Sequence, residues 1–177
     1  MVFIRETGRS SSGLDLDERH GELYTVRAGV PAAVAVDRKR DTGRAMSREN
    51  VQLVHRIYER LNQGDVEGLV GLCADDFLMD MSERVFNPDT YRGHDGIRRF
   101  HEGVVDCWES YRWDVEETRV AGDSVVAMLH CTGQTREGGP GVDWRVAWLW
   151  NLRGGRPVSV RFFRDRAKAL AAAGLQE

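Results

Sequence analysis

Cysteine is scarce in this 177-residue chain: Cys73, Cys107 and Cys131 are odd in number, far apart and in no CxxC pair. That pattern suggests neither a disulfide framework nor a zinc knuckle, and it reads as a cytoplasmic protein. Excess positive charge is also missing, since 25 Lys and Arg face 28 Asp and Glu for a formal net charge of −3. No nucleic-acid partner is expected from such a balance. Long apolar runs are absent as well. Residues 28–36, the longest near the N-terminus, carry Gly29 and Pro31 and fall far short of the roughly 20 residues that span a bilayer. No membrane partner is expected. The opening MVFIRETGRS becomes charged within five positions and has no continuous apolar core, so a secretory signal is not expected either.

What remains fits one globular domain, 41% hydrophobic and 30% charged, with a distinct N-terminal extension. Residues 1–45 mix Gly, Ser, Arg and charges of both signs without a lasting period, which describes a poorly structured tail. Within it only residues 23–36 are apolar enough for a short strand or turn. Ser47 can cap a helix, so the domain is expected over 46–177, with Met46 as the native translation start. The intact mass of protein from its native source checks that start.

From Ser47 onward the periods are clear. Val51, Val54, Ile57, Tyr58 and Leu61 share one helical face up to Gly64. Asp65 caps a second helix with Val66, Leu69, Val70 and Cys73 inward. A short apolar strand over 77–81 follows, and Gly93 leads a third helix whose stripe is Ile97, Phe100, Val104 and Trp108. Period two then takes over. Tyr111, Trp113 and Val115 alternate with charges, 125–129 is continuously apolar as in a strand covered on both faces, and Val142, Trp144, Val146, Trp148 and Trp150 share one parity. After the turn at Gly154 and Gly155, Val158, Val160 and Phe162 mark a last strand, and 166–175 is expected to be helical. Segregated helices and antiparallel strands give an α+β domain.

This order resembles the nuclear transport factor 2-like superfamily, in its SnoaL-like and ketosteroid-isomerase-like branch. The residues that carry the resemblance are Tyr58-Glu59-Arg60-Leu61-Asn62-Gln63-Gly64-Asp65, Cys73-Ala74-Asp75-Asp76-Phe77, Tyr91-Arg92-Gly93-His94-Asp95-Gly96-Ile97 and the stretch 158–165. It covers 47–175, and its motifs are structural ones. The resemblance implies a cone-shaped, bent antiparallel sheet wrapped around three N-terminal helices, with a cavity open at one end and often a homodimer. It also implies where catalytic groups would stand in the enzymes of the superfamily. The isomerase oxyanion Tyr falls on Ile57, the isomerase base on Met81, its acid and the cyclase Asp on Trp148, and the epoxide-hydrolase Asp on Phe162. All four positions are apolar here, so none of those activities transfers directly.

Two polar neighbours of these positions, Asp80 and Tyr58, and His130 in the central strand are the candidate catalytic residues. Asp80 adjoins Met81, but strand neighbours face opposite ways, so it enters the cavity only through a bulge or a slip; otherwise it is a solvated outer carboxylate. His130 lies between Leu129 and Cys131, as a proton carrier or as a buried His satisfied by the sheet. Tyr58 is one helical step from Ile57 and is the candidate hydrogen-bond donor, with His55 one turn away. His94 and His101, seven apart, do not suit one metal ion, and Asp75 and Asp76 read as turn residues. Asp143, Arg145 and Arg161 read as outer-face charges. Neither a metal nor an organic cofactor is expected.

Three functions compete. The leading expectation is a homodimeric cone domain holding a small, apolar, planar molecule among Ile57, Tyr58, Met79, Met81, Trp148, Trp150 and Phe162. A cofactor-independent isomerase, lyase or cyclase would use Asp80 or His130 as acid or base, with Tyr58 as donor. A protein-interaction module would instead present the row of Trp144, Trp148 and Trp150 to a partner.

Overall fold

The computed structural model describes residues 32–85 and 87–176. The chain divides into two compact units, Met1–Lys39 and Arg40–Glu177. In the first unit only residues 32–39 are described, all of them helical, and the rest of the tail expected over 1–45 up to residue 31 lies outside the described residues. The second unit holds the features that follow.

Helix α1 spans Ala32–Gln63. Ser47 therefore does not cap it. Its hydroxyl donates to the Gly43 carbonyl at 2.8 Å, the back-bond to the preceding turn that Ser makes inside a helix. The Ala and Arg content of 32–46 has enough helix propensity to carry the helix through the point where a boundary was expected. At the other end Gly64 takes φ 68°, and Asp65 accepts from the Gly68 N–H at 2.9 Å to start α2, Val66–Leu72. Strands β1 (Leu78–Asp80) and β2 (Thr90–Arg92) precede α3, Gly93–Cys107. Trp108, expected on the α3 stripe, instead opens β3. Its N–H closes the helix on the Val104 carbonyl while its backbone is already extended, and the aromatic residues after it favour a strand.

Strands β3 (Trp108–Ala121), β4 (Ser124–Thr135), β5 (Gly141–Arg153) and β6 (Arg156–Phe163) form the meander, and α4 is Arg166–Ala172. The six strands run in the order β2-β1-β6-β5-β4-β3. The sheet is mixed, not wholly antiparallel as expected: β1 lies parallel to β6, with Met79 opposite Val160, and antiparallel to β2. The sheet remains open, because β2 and β3 are its two edges.

Parity divides the core in two. Val125, Ala127, Leu129 and Cys131 face the helices with Trp148 and Trp150, whereas Val126, Met128, Ala147 and Leu149 face α4 with Ala169 and Leu170. Burial on both faces is what the unbroken apolar run of β4 requires. One polar clamp ties α1 to the edge strand. Asn62 Nδ2 donates to the Trp113 carbonyl at 2.8 Å, and the Trp113 N–H donates to Asn62 Oδ1 at 2.9 Å, satisfying edge backbone groups that have no further strand beside them. Asn62→Ala is expected to cost about 2 kcal/mol, from two lost bonds and two poorly satisfied backbone groups. Urea unfolding would register this as a lower midpoint at unchanged slope; an unmoved midpoint would show that water replaces the amide.

Candidate functional site

The inner face of the meander encloses a cavity of about 550 Å³. Its wall is built from alternate residues: Tyr111 and Trp113 on β3, Cys131 on β4, Trp144, Val146 and Trp148 on β5, and Phe162 on β6. Period-two geometry makes this inevitable once these residues share the helix-facing side. Exposed Val85, Asp143, Arg145 and Arg164, with half-buried Arg84, mark the opening.

Aromatic packing fixes the wall. Trp148 meets Tyr58 edge-on at 5.7 Å and Phe100 at 6.1 Å, and Tyr111 lies 4.5 Å from Trp113 and 4.9 Å from Trp108, centroid to centroid. Few polar groups reach it. Tyr111 and Cys131 lie beside each other, burial pushes the Tyr111 pKa up, and burial pushes the Cys131 thiol up to about 12. The indole Nε1 of Trp148 is buried and has no hydrogen-bond partner among the described residues.

The three candidate catalytic residues are not brought together. Asp80 faces out, because the pairing of β1 runs without a bulge while Met79 and Met81 on either side are buried at 1% and 0% exposure. Ser82 donates to Asp80 Oδ1 through its hydroxyl at 2.6 Å and its N–H at 3.1 Å, and Arg161 stands 3.6 Å from Oδ2. These contacts, the Ser82 hydroxyl foremost, hold the Asp80 carboxyl below its ordinary range and favour the ion. His130 shares the outer parity of Val126 and Met128, and its Nε2 lies 2.8 Å from Asp143 Oδ1. Tyr58 is inside but behind the wall. Its oxygen accepts from Trp150 Nε1 at 2.9 Å, and burial raises its pKa well above the ordinary value.

Of the residues expected around a ligand, Trp148 and Phe162 stand on the cavity wall. Ile57, Tyr58, Met79, Met81 and Trp150 form the packed layer of the core, none more than 2% exposed. The expected ligand set missed Arg84, Val85, Tyr111, Trp113, Cys131, Asp143, Arg145, Val146 and Arg164; strand parity held a signal for Tyr111, Trp113, Cys131 and Val146. Trp144 packs edge-on to Trp108 at 6.3 Å, so the indole row faces the inner core cluster. His55 is exposed on α1. His94 Nε2 lies 3.6 Å from Asp75 Oδ1, while His101 stands beside Gly64. Among the described residues no three His, Cys, Asp or Glu are grouped to hold a metal ion. Arg145 pairs with Glu116 at 3.2 Å and Arg161 with Glu83 at 3.0 Å, so neither joins Asp143 in a cross-strand cluster. No described helix is long and apolar enough to cross a membrane.

Solved structures share this architecture. An NTF2-like protein of unknown function from Burkholderia pseudomallei is 21% identical, covering 70% of this chain and 95% of its own, with a TM-score of 0.59. A protein from Jannaschia sp. bearing the provisional designation SnoaL-like polyketide cyclase is 20% identical over 67% of this chain and 86% of its own, at 0.59. A hypothetical protein from Catenulispora acidiphila with a ketosteroid isomerase-like fold, crystallised with trimethylamine, is 19% identical over 70% and 92%, at 0.58. At these identities the likeness establishes the fold. No curated protein matches this sequence. The family model described as SnoaL-like domain matches residues 54–160, from the first inward turn of α1 to the middle of β6, and the chain belongs to the SnoaL-like domain family.

Proposed function

We propose that this domain binds a small, flat, largely apolar molecule in the cavity of the sheet. The observation that carries the reading is the cavity itself: about 550 Å³, open at one end and walled by Tyr111, Trp113, Trp144, Trp148 and Phe162. Binding sites of this size are concave and mostly apolar, with a few placed polar groups. Proton-transfer chemistry finds less support. Asp80 and His130 lie on the other face, and the wall's own titratable groups, Tyr111 and Cys131, keep their protons at neutral pH.

Calorimetric titration with fluorenone and anthraquinone, two neutral planar probes, tests the reading. Binding is expected in the native chain and in Val146→Ala. It is expected to weaken by about a hundredfold, some 2.7 kcal/mol, in Val146→Trp, whose indole would occupy the cavity. Asp80→Asn and His130→Gln are expected to leave affinity within about twofold, since neither side chain lines the wall. Failure of both probes to bind the native chain, or equal affinity in a folded Val146→Trp, would overturn the proposal.

A further inference from the structure

Charge around the opening is not balanced. Besides the wall groups, four ionisable residues border it: Arg84, Arg164 and, on β5, Arg145 and Asp143, whose side chains take the outer parity. Two of them are already engaged elsewhere, Arg145 with Glu116 at 3.2 Å and Asp143 with His130 at 2.8 Å. Arg84 and Arg164 have no carboxylate partner among the described residues. Other arginines on or beside the same sheet do, as with Arg112 and Asp114, Arg153 and Asp76, and Arg166 and Glu117. An unpaired guanidinium at the rim of an apolar cavity is a fixed cation beside a low-dielectric space, where its field is least screened.

Arg84 also reaches inward. Its guanidinium carbon lies 5.3 Å from the centroid of the Phe100 ring, and its charge is felt at Tyr111 and Cys131, where it favours the anionic forms. At the wall, Trp148 is 2% exposed and its Nε1–H is buried without an acceptor among the described residues.

Together these groups specify more than an apolar guest. Resting on the binding reading above, we infer that the cavity takes a planar aromatic acid, its anionic group held at the opening by Arg84 and Arg164 and its flat body lying against the aromatic wall. Guanidinium groups donate to a carboxylate through charge-assisted hydrogen bonds.

The matched probes 9-oxofluorene-2-carboxylate and 9-oxofluorene-2-carboxamide separate this inference from the reading beneath it. Calorimetry on the full chain is expected to show the carboxylate binding at least about tenfold more tightly than the amide, with the preference shrinking as salt rises. Arg84→Gln and Arg164→Gln are each expected to weaken carboxylate binding about tenfold while leaving the amide within about twofold, and Arg84→Lys is expected to restore part of the loss. The Trp148 indole N–H resonance, identified by its absence in Trp148→Phe, is expected to shift on addition of either probe. Equal affinity for acid and amide overturns the inference and leaves the cavity reading intact; so does an acid preference that both Gln variants retain. Failure of both probes and of the neutral panel overturns the reading itself.

Discussion

Trp150→Ala is expected to destabilise the domain by about 3–5 kcal/mol, the range for removing a buried aromatic side chain from a packed core. Trp150 is 1% exposed, lies nearly parallel to Phe77 with ring centroids 6.1 Å apart, and meets Tyr58 edge-on at 6.0 Å. Its Nε1–H also donates to the Tyr58 hydroxyl oxygen at 2.9 Å, joining β5 to α1 through the middle of the core. Two smaller substitutions separate packing from hydrogen bonding. Tyr58→Phe strands a buried indole N–H at about 1–3 kcal/mol, and Trp150→Phe strands a hydroxyl at a similar cost. Combined, they remove both halves of one bond, so the double variant is expected to lose less than the sum of the singles. Urea titration supplies all the free energies. For Trp150→Ala thermal unfolding should also move down by about 10–20 °C. A midpoint within about 2 °C of the native one would show that the core does not depend on this indole. Because Trp148 rests against both Tyr58 and Trp150, the same substitution is expected to let the cavity wall collapse backwards and to weaken planar probes.

Much of this core was legible in the sequence, because periodicity and parity are local properties. The Gly64-Asp65 junction, the inward face of α1 and the shared parity of Trp144, Trp148 and Trp150 follow from spacing alone. What spacing cannot supply is the partner of each side chain. Tyr58 and Trp150 are ninety-two residues apart, so their hydrogen bond is invisible until α1 is laid across β5. The same limit explains the cavity. Phe162 and Trp148 stand opposite each other in register across β5 and β6, and their place on the wall followed from the family pattern. Arg84 comes from the loop between β1 and β2 and Arg164 from the residue just after β6, where no period constrains orientation. Met79 and Met81 were rightly inward by parity yet lie behind the wall, since parity gives the face of a residue and not its depth. The parallel pairing of β1 with β6 was equally hidden: a three-residue strand carries too little pattern to show its direction.

Alkaline pH is expected to unfold the domain through groups that are protonated only because they are buried. Burial pushes the thiols of Cys73 and Cys131 up to about 12, against 9.0 in the open chain. Between those two values the folded form binds more protons than the unfolded form, so stability falls as pH rises. The contribution is fully present below about pH 9 and is lost as pH approaches 12, amounting to about 4 kcal/mol for each thiol by the end of that window. Tyr58 and Tyr111, both raised above 10.0 chiefly by burial, add to the decline from about pH 10 upward. Two thiols titrating only on unfolding give a slope of about 2.7 kcal/mol per pH unit, and each of Cys73→Ala and Cys131→Ala should remove about half of it. Urea unfolding at a series of pH values between 8 and 11 measures the slope, and the comparison of slopes is independent of whatever packing each variant loses. A flat profile, or a slope that both variants retain, would show that these thiols reach water in the folded chain. The consequence for the site is direct. At neutral pH Cys131 presents a protonated, weakly polar sulfur beside the Tyr111 hydroxyl. A thiol in that state is no nucleophile, so neither Cys131 nor Tyr111 gives the wall a reactive anion at neutral pH.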